Sequence, residues 1–233
     1  MNGVPLLVYV IRTAESLREK YFVDIVIDTE DLEICEIAEQ YEVEVMNRPE
    51  ELAGDAITLD PVVYHAVCGY ENKKQIRYDV IITMQATSPT LRKETLHRAI
   101  KKFLSDDADT MISAVNEPHL SWGYKDGNLV PEYDKRLNRQ QLPVHLKETG
   151  GFLISKREYV TEKSRIGKKV VVFAVPEKEA IDIDTDFDWI LCETILSSKK
   201  IILRADGEES LGMGHIYRCM SIAYHLTGHE ILF

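Results

Sequence analysis

Apolar and polar positions alternate along this chain in two rhythms. Short β-branched runs at residues 24–28, 44–46, 80–84 and 110–115 are separated by stretches in which apolar residues return at helical spacing. Over residues 31–40, Leu32, Ile34, Cys35, Ile37 and Ala38 make one apolar face, which predicts a helix. Further helices are expected at about 61–68 and 93–104. Val80-Ile81-Ile82-Thr83-Met84 reads as a buried parallel strand, and Ser88-Pro89 turns the chain after it. Strands alternating with helices predict an α/β fold, a doubly wound and mostly parallel sheet with helices on both faces.

The rhythm breaks at about 116–150. Pro118, Pro131, Pro143 and the turn Lys125-Asp126-Gly127-Asn128 argue for an inserted arm, not another strand and helix. The sheet resumes at 151–154 and 170–175, and a helix over 185–196 closes this first domain, 1–196. Thr185 with Asp188 three residues on has the form of a capping box at that helix's start. Residues 197–200 are a polar linker. A second unit, 201–233, is expected to hold a strand at 201–206, a glycine-bearing loop at 207–214, a helix at 215–226 and a strand at 230–233. So short a piece cannot close a core, so it is expected to be truncated or to dock on the first domain.

Charge narrows the partners. With 39 acidic against 28 basic residues the formal net charge is −11, which leaves no continuous basic surface for a nucleic-acid backbone. A small anionic ligand stays compatible with this total. The cysteines, Cys35, Cys68, Cys192 and Cys219, form no paired motif and read as reduced core residues. No leader precedes the fold and no apolar run reaches the roughly 18 residues needed to span a bilayer, so a cytoplasmic protein is expected.

Two runs could carry chemistry. In Ile181-Asp182-Ile183-Asp184-Thr185-Asp186-Phe187-Asp188, strand alternation would place Asp182 and Asp184 on one face, where they could converge on a hard cation such as Mg²⁺. The competing reading is that one aspartate caps a helix and the rest are solvated. In Met84-Gln85-Ala86-Thr87-Ser88-Pro89, at the end of a buried strand, Gln85, Thr87 and Ser88 offer hydrogen-bonding groups for a polyol. An ordinary Ser-Pro turn is the alternative.

Taken together, these runs resemble the QPTSP and DIDTELD segments of the cytidylyltransferases that make CMP-sialic acid and related CMP-nonulosonates. Asn47-Arg48-Pro49-Glu50-Glu51-Leu52-Ala53 is similar to that family's RPxxLA run, Leu137-Asn138-Arg139-Gln140-Gln141-Leu142-Pro143 to its RRQDLP run, and Thr149-Gly150-Gly151-Phe152, less closely, to its NGAIY run. The resemblance implies a nucleotide-diphospho-sugar transferase-like fold. It also implies attack of a sugar acid's anomeric hydroxyl on the α-phosphate of CTP, with release of pyrophosphate. By the same resemblance Asp182 and Asp184 would be catalytic and hold Mg²⁺, and Arg48 and Thr58 would face the nucleotide. Gln85 would face the sugar, and Arg139 would grip its carboxylate. The arm resembles a dimerisation element and implies a homodimer.

The chain also departs from that family. Nothing before Met1-Asn2-Gly3 matches its N-terminal nucleotide-binding strand and loop, LxxRxGSKxxxxKN, Ala86 stands where a proline is usual, and Gln141 where an acid is usual. A catalytically impaired dimerisation or docking module of the same pathway is therefore the alternative expectation, and transfer to another acid sugar a third. Arg204-Ala205-Asp206-Gly207 and Gly212-Met213-Gly214-His215-Ile216-Tyr217-Arg218-Cys219 resemble the opening of the pseudaminic-pathway UDP-sugar hydrolase, with His215 at the position of its candidate base. That resemblance moves the expected acceptor from sialic acid toward pseudaminic or legionaminic acid.

Overall fold

In the computed structural model, residues 1–207 and 213–233 are described. The chain divides into two units, Pro5–Asp182 and Met1–Val4 with Ile183–Phe233.

The larger unit opens with a helix that the apolar rhythm had not revealed, α1 (Leu6–Glu15), which buries Val8 and Ile11 one turn apart. Next come β1 (Val26–Thr29), α2 (Leu32–Gln40) and β2 (Glu44–Asn47). The Asp31 side chain caps α2 by accepting the Ile34 amide at 3.0 Å, the interaction that makes Asp a preferred cap. β1 and β2 pair in parallel across α2. α3 (Leu59–Lys74) is longer than its pattern suggested and ends at Gln75, which sits in the left-handed region at φ 56°. It leads to β3 (Val80–Thr83), α4 (Lys93–Ser105) and β4 (Thr110–Asn116).

The arm begins as a hairpin, β5 (Trp122–Lys125) against β6 (Asn128–Pro131). Its turn residues Asp126 and Gly127 have φ of 51° and 78°, a conformation that Asp-Gly adopts at low cost. The chain then returns in β7 (Leu146–Lys156), which starts inside the segment expected to be arm, and β8 (Val170–Ala174) follows. The main sheet has the order β3-β7-β4-β8, with β4 and β8 parallel. β7 is antiparallel to both β3 and β4 because the link from β4 to β7 is a returning arm, not a helical crossover.

The core lies where α4 lays Leu96, Ala99, Ile100 and Phe103 against Met111, Phe152 and Ile154 of the sheet. A second cluster, Ile11, Ile27, Ala38 and Val43, joins α1 to the β1–α2–β2 layer.

The smaller unit holds α5 (Asp186–Ser197), β9 (Lys200–Ile202), α6 (Gly214–His225) and β10 (Glu230–Leu232), with β9 and β10 parallel. The capping box is present: Thr185 accepts from the Asp188 amide at 3.3 Å, and Asp188 Oδ2 accepts from the Thr185 amide at 2.9 Å. The acidic run needs one correction. Residues 181–184 form no regular strand, so strand alternation does not place Asp182 and Asp184 on a common face. The approach to α5 is set by its cap, not by sheet pairing. Most of the loop expected over 207–214 lies outside the described residues. Among the described residues no helix is long and apolar enough to cross a membrane.

Candidate functional site

The site is organised by an interruption in a ladder. β4 and β7 keep register from Thr110 to Ile112, slip, and resume at Ala114 opposite Glu148, so residues 149–152 of β7 have only Ser113 across from them. Ser113 is fully buried and its hydroxyl takes over the missing rungs. It donates to the Phe152 carbonyl at 2.7 Å and accepts from the Phe152 amide at 3.0 Å and the Thr149 hydroxyl at 2.8 Å. Buried backbone groups that would otherwise lack partners are satisfied, and Gly150 is held out as a lip.

Just past the carboxyl end of β3, the Gln85 amide donates to the Gly150 carbonyl at 3.1 Å, which ties the strand end to this lip. The Ser88 amide in turn donates to the Gln85 carbonyl at 3.1 Å and closes a tight turn. Gly150 is crowded on its open side. A Cβ there would lie 2.5 Å from Gln85 Oε1, 2.7 Å from Ser88 Oγ and 3.1 Å from Asp182 Oδ2. Two of the sequence-predicted residues, Gln85 and Asp182, are thus brought to one point. Asp182 Oδ1 and Ser88 Oγ are both buried with no hydrogen-bond partner among the described residues. A carboxylate oxygen left in this state suits a hard cation, which accepts oxygen ligands and completes its shell with water and phosphate. No group of three or more His, Cys, Asp or Glu side chains is assembled for a metal among the described residues.

Arg48 lies at the carboxyl end of β2. Its Nε donates to Asp28 Oδ1 at 2.6 Å, one terminal nitrogen donates to the Asp28 carbonyl at 2.7 Å, and the other stands 3.4 Å from Glu30. Asp28 Oδ2 and His65 Nδ1 face each other at 4.0 Å, both buried and neither hydrogen-bonded among the described residues. Thr58 is the exposed N-cap of α3 and makes no side-chain cap bond. Arg139 is exposed on a short turn of the arm, and its guanidinium forms no ion pair among the described residues. Asp184 and His215 belong to the smaller unit. Asp184 is exposed and its amide donates to Asp188 at 3.3 Å, while His215 is the second residue of α6.

A third polar cluster was not anticipated. Arg157 is buried, with Nε and Nη2 donating to the two oxygens of Glu71 at 2.9 and 2.8 Å and Nη1 donating to the Val160 carbonyl at 3.0 Å. Burial by itself would raise the Glu71 carboxyl, but the Arg157 hydrogen bonds, the Tyr78 amide and the guanidinium charge outweigh it and hold the group below its ordinary value. Tyr64 is pushed up, chiefly by its hydrogen bond with the Cys68 thiol.

Ser113 and Gly150 were also missed. The one available signal was the Gly150-Gly151 pair inside a strand pattern, which marks a bulge or a close approach.

A family model described as cytidylyltransferase matches residues 1–145. The chain is similar to the N-acylneuraminate cytidylyltransferase A of Danio rerio, 30% identical over 204 residues, covering 83% of this chain and 45% of that protein. It is also similar to the CMP-N,N'-diacetyllegionaminic acid synthase of Campylobacter jejuni, 27% identical over 208 residues, covering 86% of this chain and 88% of that protein. Among solved structures, the 4-diphosphocytidyl-2C-methyl-D-erythritol synthase of Anaerococcus prevotii shares the fold. Its TM-score is 0.60 at 14% identity, over 83% of this chain and 86% of that one.

Proposed function

The chain belongs to the cytidylyltransferase family, and on that premise we propose that it transfers CMP from CTP to a nonulosonic acid, releasing pyrophosphate. Pseudaminic and legionaminic acids are the acceptors favoured, because one relative of near-equal length is named for a legionaminic acid. The observation that carries the reading is the meeting of Gln85 and Asp182 at Gly150. It puts an amide that can bind a sugar beside a carboxylate that can bind a cation.

Each residue then has a task. Gln85 orients the acceptor. Arg48 and Thr58 face the nucleotide. With Asp28 and Glu30 beside it, Arg48 offers directed N–H donors more than net positive charge, which suits a base carbonyl better than a triphosphate. Arg139, on the arm, would hold the acceptor's carboxylate by a bidentate pair. Cytidylyltransferases of this type work with a divalent metal. Mg²⁺ is the ion we assign, and Asp182 would hold it. Its chemistry when bound is to polarise the α-phosphate and offset charge on the departing pyrophosphate.

The arm exposes Trp122, Tyr124 and Leu129, and a homodimer through it is part of the same reading, as is a cytoplasmic location. Sedimentation of the purified chain at twice the monomer mass is the expected result. The activity is tested by pyrophosphate release from CTP and Mg²⁺ with a panel of nonulosonic acids. Release with pseudaminic or legionaminic acid supports the proposal. A silent panel alongside a stable dimer supports the docking-module alternative.

A further inference from the structure

The oxygens gathered at Gly150 outnumber the roles so far given to them. Gln85 Oε1 and the Asp182 carboxylate are placed in the transfer reaction, but Ser88 is not, although the residue is only 3% exposed and its hydroxyl, unpartnered among the described residues, lies against the same glycine. We propose that Ser88 is a substrate-binding residue and that Gly150, having no side chain, lets it close up with Gln85 and Asp182, the three together binding a single hydroxyl of the acceptor sugar.

The class of occupant follows from the lining. Gln85 Oε1 and Asp182 Oδ2 only accept hydrogen bonds, so a carboxylate or phosphate oxygen would be repelled and an apolar group would leave them unpaired. A hydroxyl suits this lining: it donates its one proton to Asp182 or Gln85 and accepts from Ser88. A methyl at residue 150 would lie 2.5, 2.7 and 3.1 Å from Gln85 Oε1, Ser88 Oγ and Asp182 Oδ2 and would push the three groups apart.

A structural role for Ser88 predicts the opposite of a binding role. A hydroxyl that held the fold would have a partner, and its loss would lower stability. A buried hydroxyl without one opposes folding, so its removal should leave thermal stability unchanged or raise it while activity falls.

The inference rests on the proposed cytidylyl transfer, and the experiment separates the two. Wild type, Ser88→Ala and Gly150→Ala are compared by thermal melting, by calorimetric CTP binding with Mg²⁺, and by pyrophosphate release at varied acceptor. The expected result for Ser88→Ala is a melting temperature at or above wild type, CTP affinity within twofold, and kcat/KM for the acceptor lowered at least tenfold. Gly150→Ala should lose at least a hundredfold, and if it fails to fold, Ser88→Ala carries the test alone. An active wild type with Ser88→Ala matching it in kcat/KM, or losing CTP affinity and melting temperature together, overturns the inference alone. A wild type silent with every acid overturns the transfer reading and this inference with it.

Discussion

Arg157 with Glu71, and Ser88 with Asp182, are two buried polar clusters of one unit with opposite states of satisfaction. Around Arg157 the named bonds are closed: Glu71 takes two guanidinium nitrogens, Val160 a third, and the Tyr78 amide donates to Glu71 at 3.1 Å. Around Gly150 two buried oxygens have no partner among the described residues. Native proteins satisfy nearly all such groups, so the exceptions call for an explanation. A closed network holds the fold together. An open one is incomplete until a ligand arrives, and that contrast separates scaffold from site where sequence motifs alone do not.

The comparison breaks if the closed cluster can be cut without cost. Glu71→Ala should lower unfolding free energy by roughly 3–5 kcal/mol, read from urea midpoints, because it leaves the Arg157 charge buried and alone. Asp182→Asn should instead reduce turnover by about a hundredfold or more with the urea midpoint unchanged or raised, since one oxygen of that carboxylate is buried with no hydrogen-bond partner among the described residues. Acid sharpens the contrast further. Glu71 is depressed in the folded state, so its contribution is complete above the ordinary value of 4.5 and is lost as pH falls through the lower folded value. Stability should decline over that window in the wild type and decline less steeply in Glu71→Gln, followed by urea titration at stepped pH. The smallest effect is expected at an exposed but satisfied cap. Thr185→Ala should cost α5 about 1 kcal/mol, measured by circular dichroism on melting.

Much of this was legible in the residues. Thr185 declares its helix because capping is a local act between neighbours in the chain. The Asp126-Gly127 hairpin is legible for the same reason. Gln85 and Asp182 were found by their motifs, yet their meeting at Gly150 was not, since it depends on a bulge spanning two strands far apart in sequence. α1 escaped notice because its apolar residues Leu6, Leu7, Val8, Val10 and Ile11 crowd together with too few polar positions to display a period. The strand reading of 181–184 failed through the reverse effect. Strict alternation was present, but no neighbouring strand lies there to pair with it. The Arg157–Glu71 pair spans 86 positions, and nothing local announces it.

Ser113 has a consequence for the amides of β7. Its hydroxyl accepts the Phe152 amide where the ladder offers no carbonyl, so that amide is fastened by a side chain, not by a strand. In deuterium exchange, Phe152 should be protected like its neighbours in β7, and Ser113→Ala should release that one proton early. A single hydroxyl thereby stands in for a rung of the sheet.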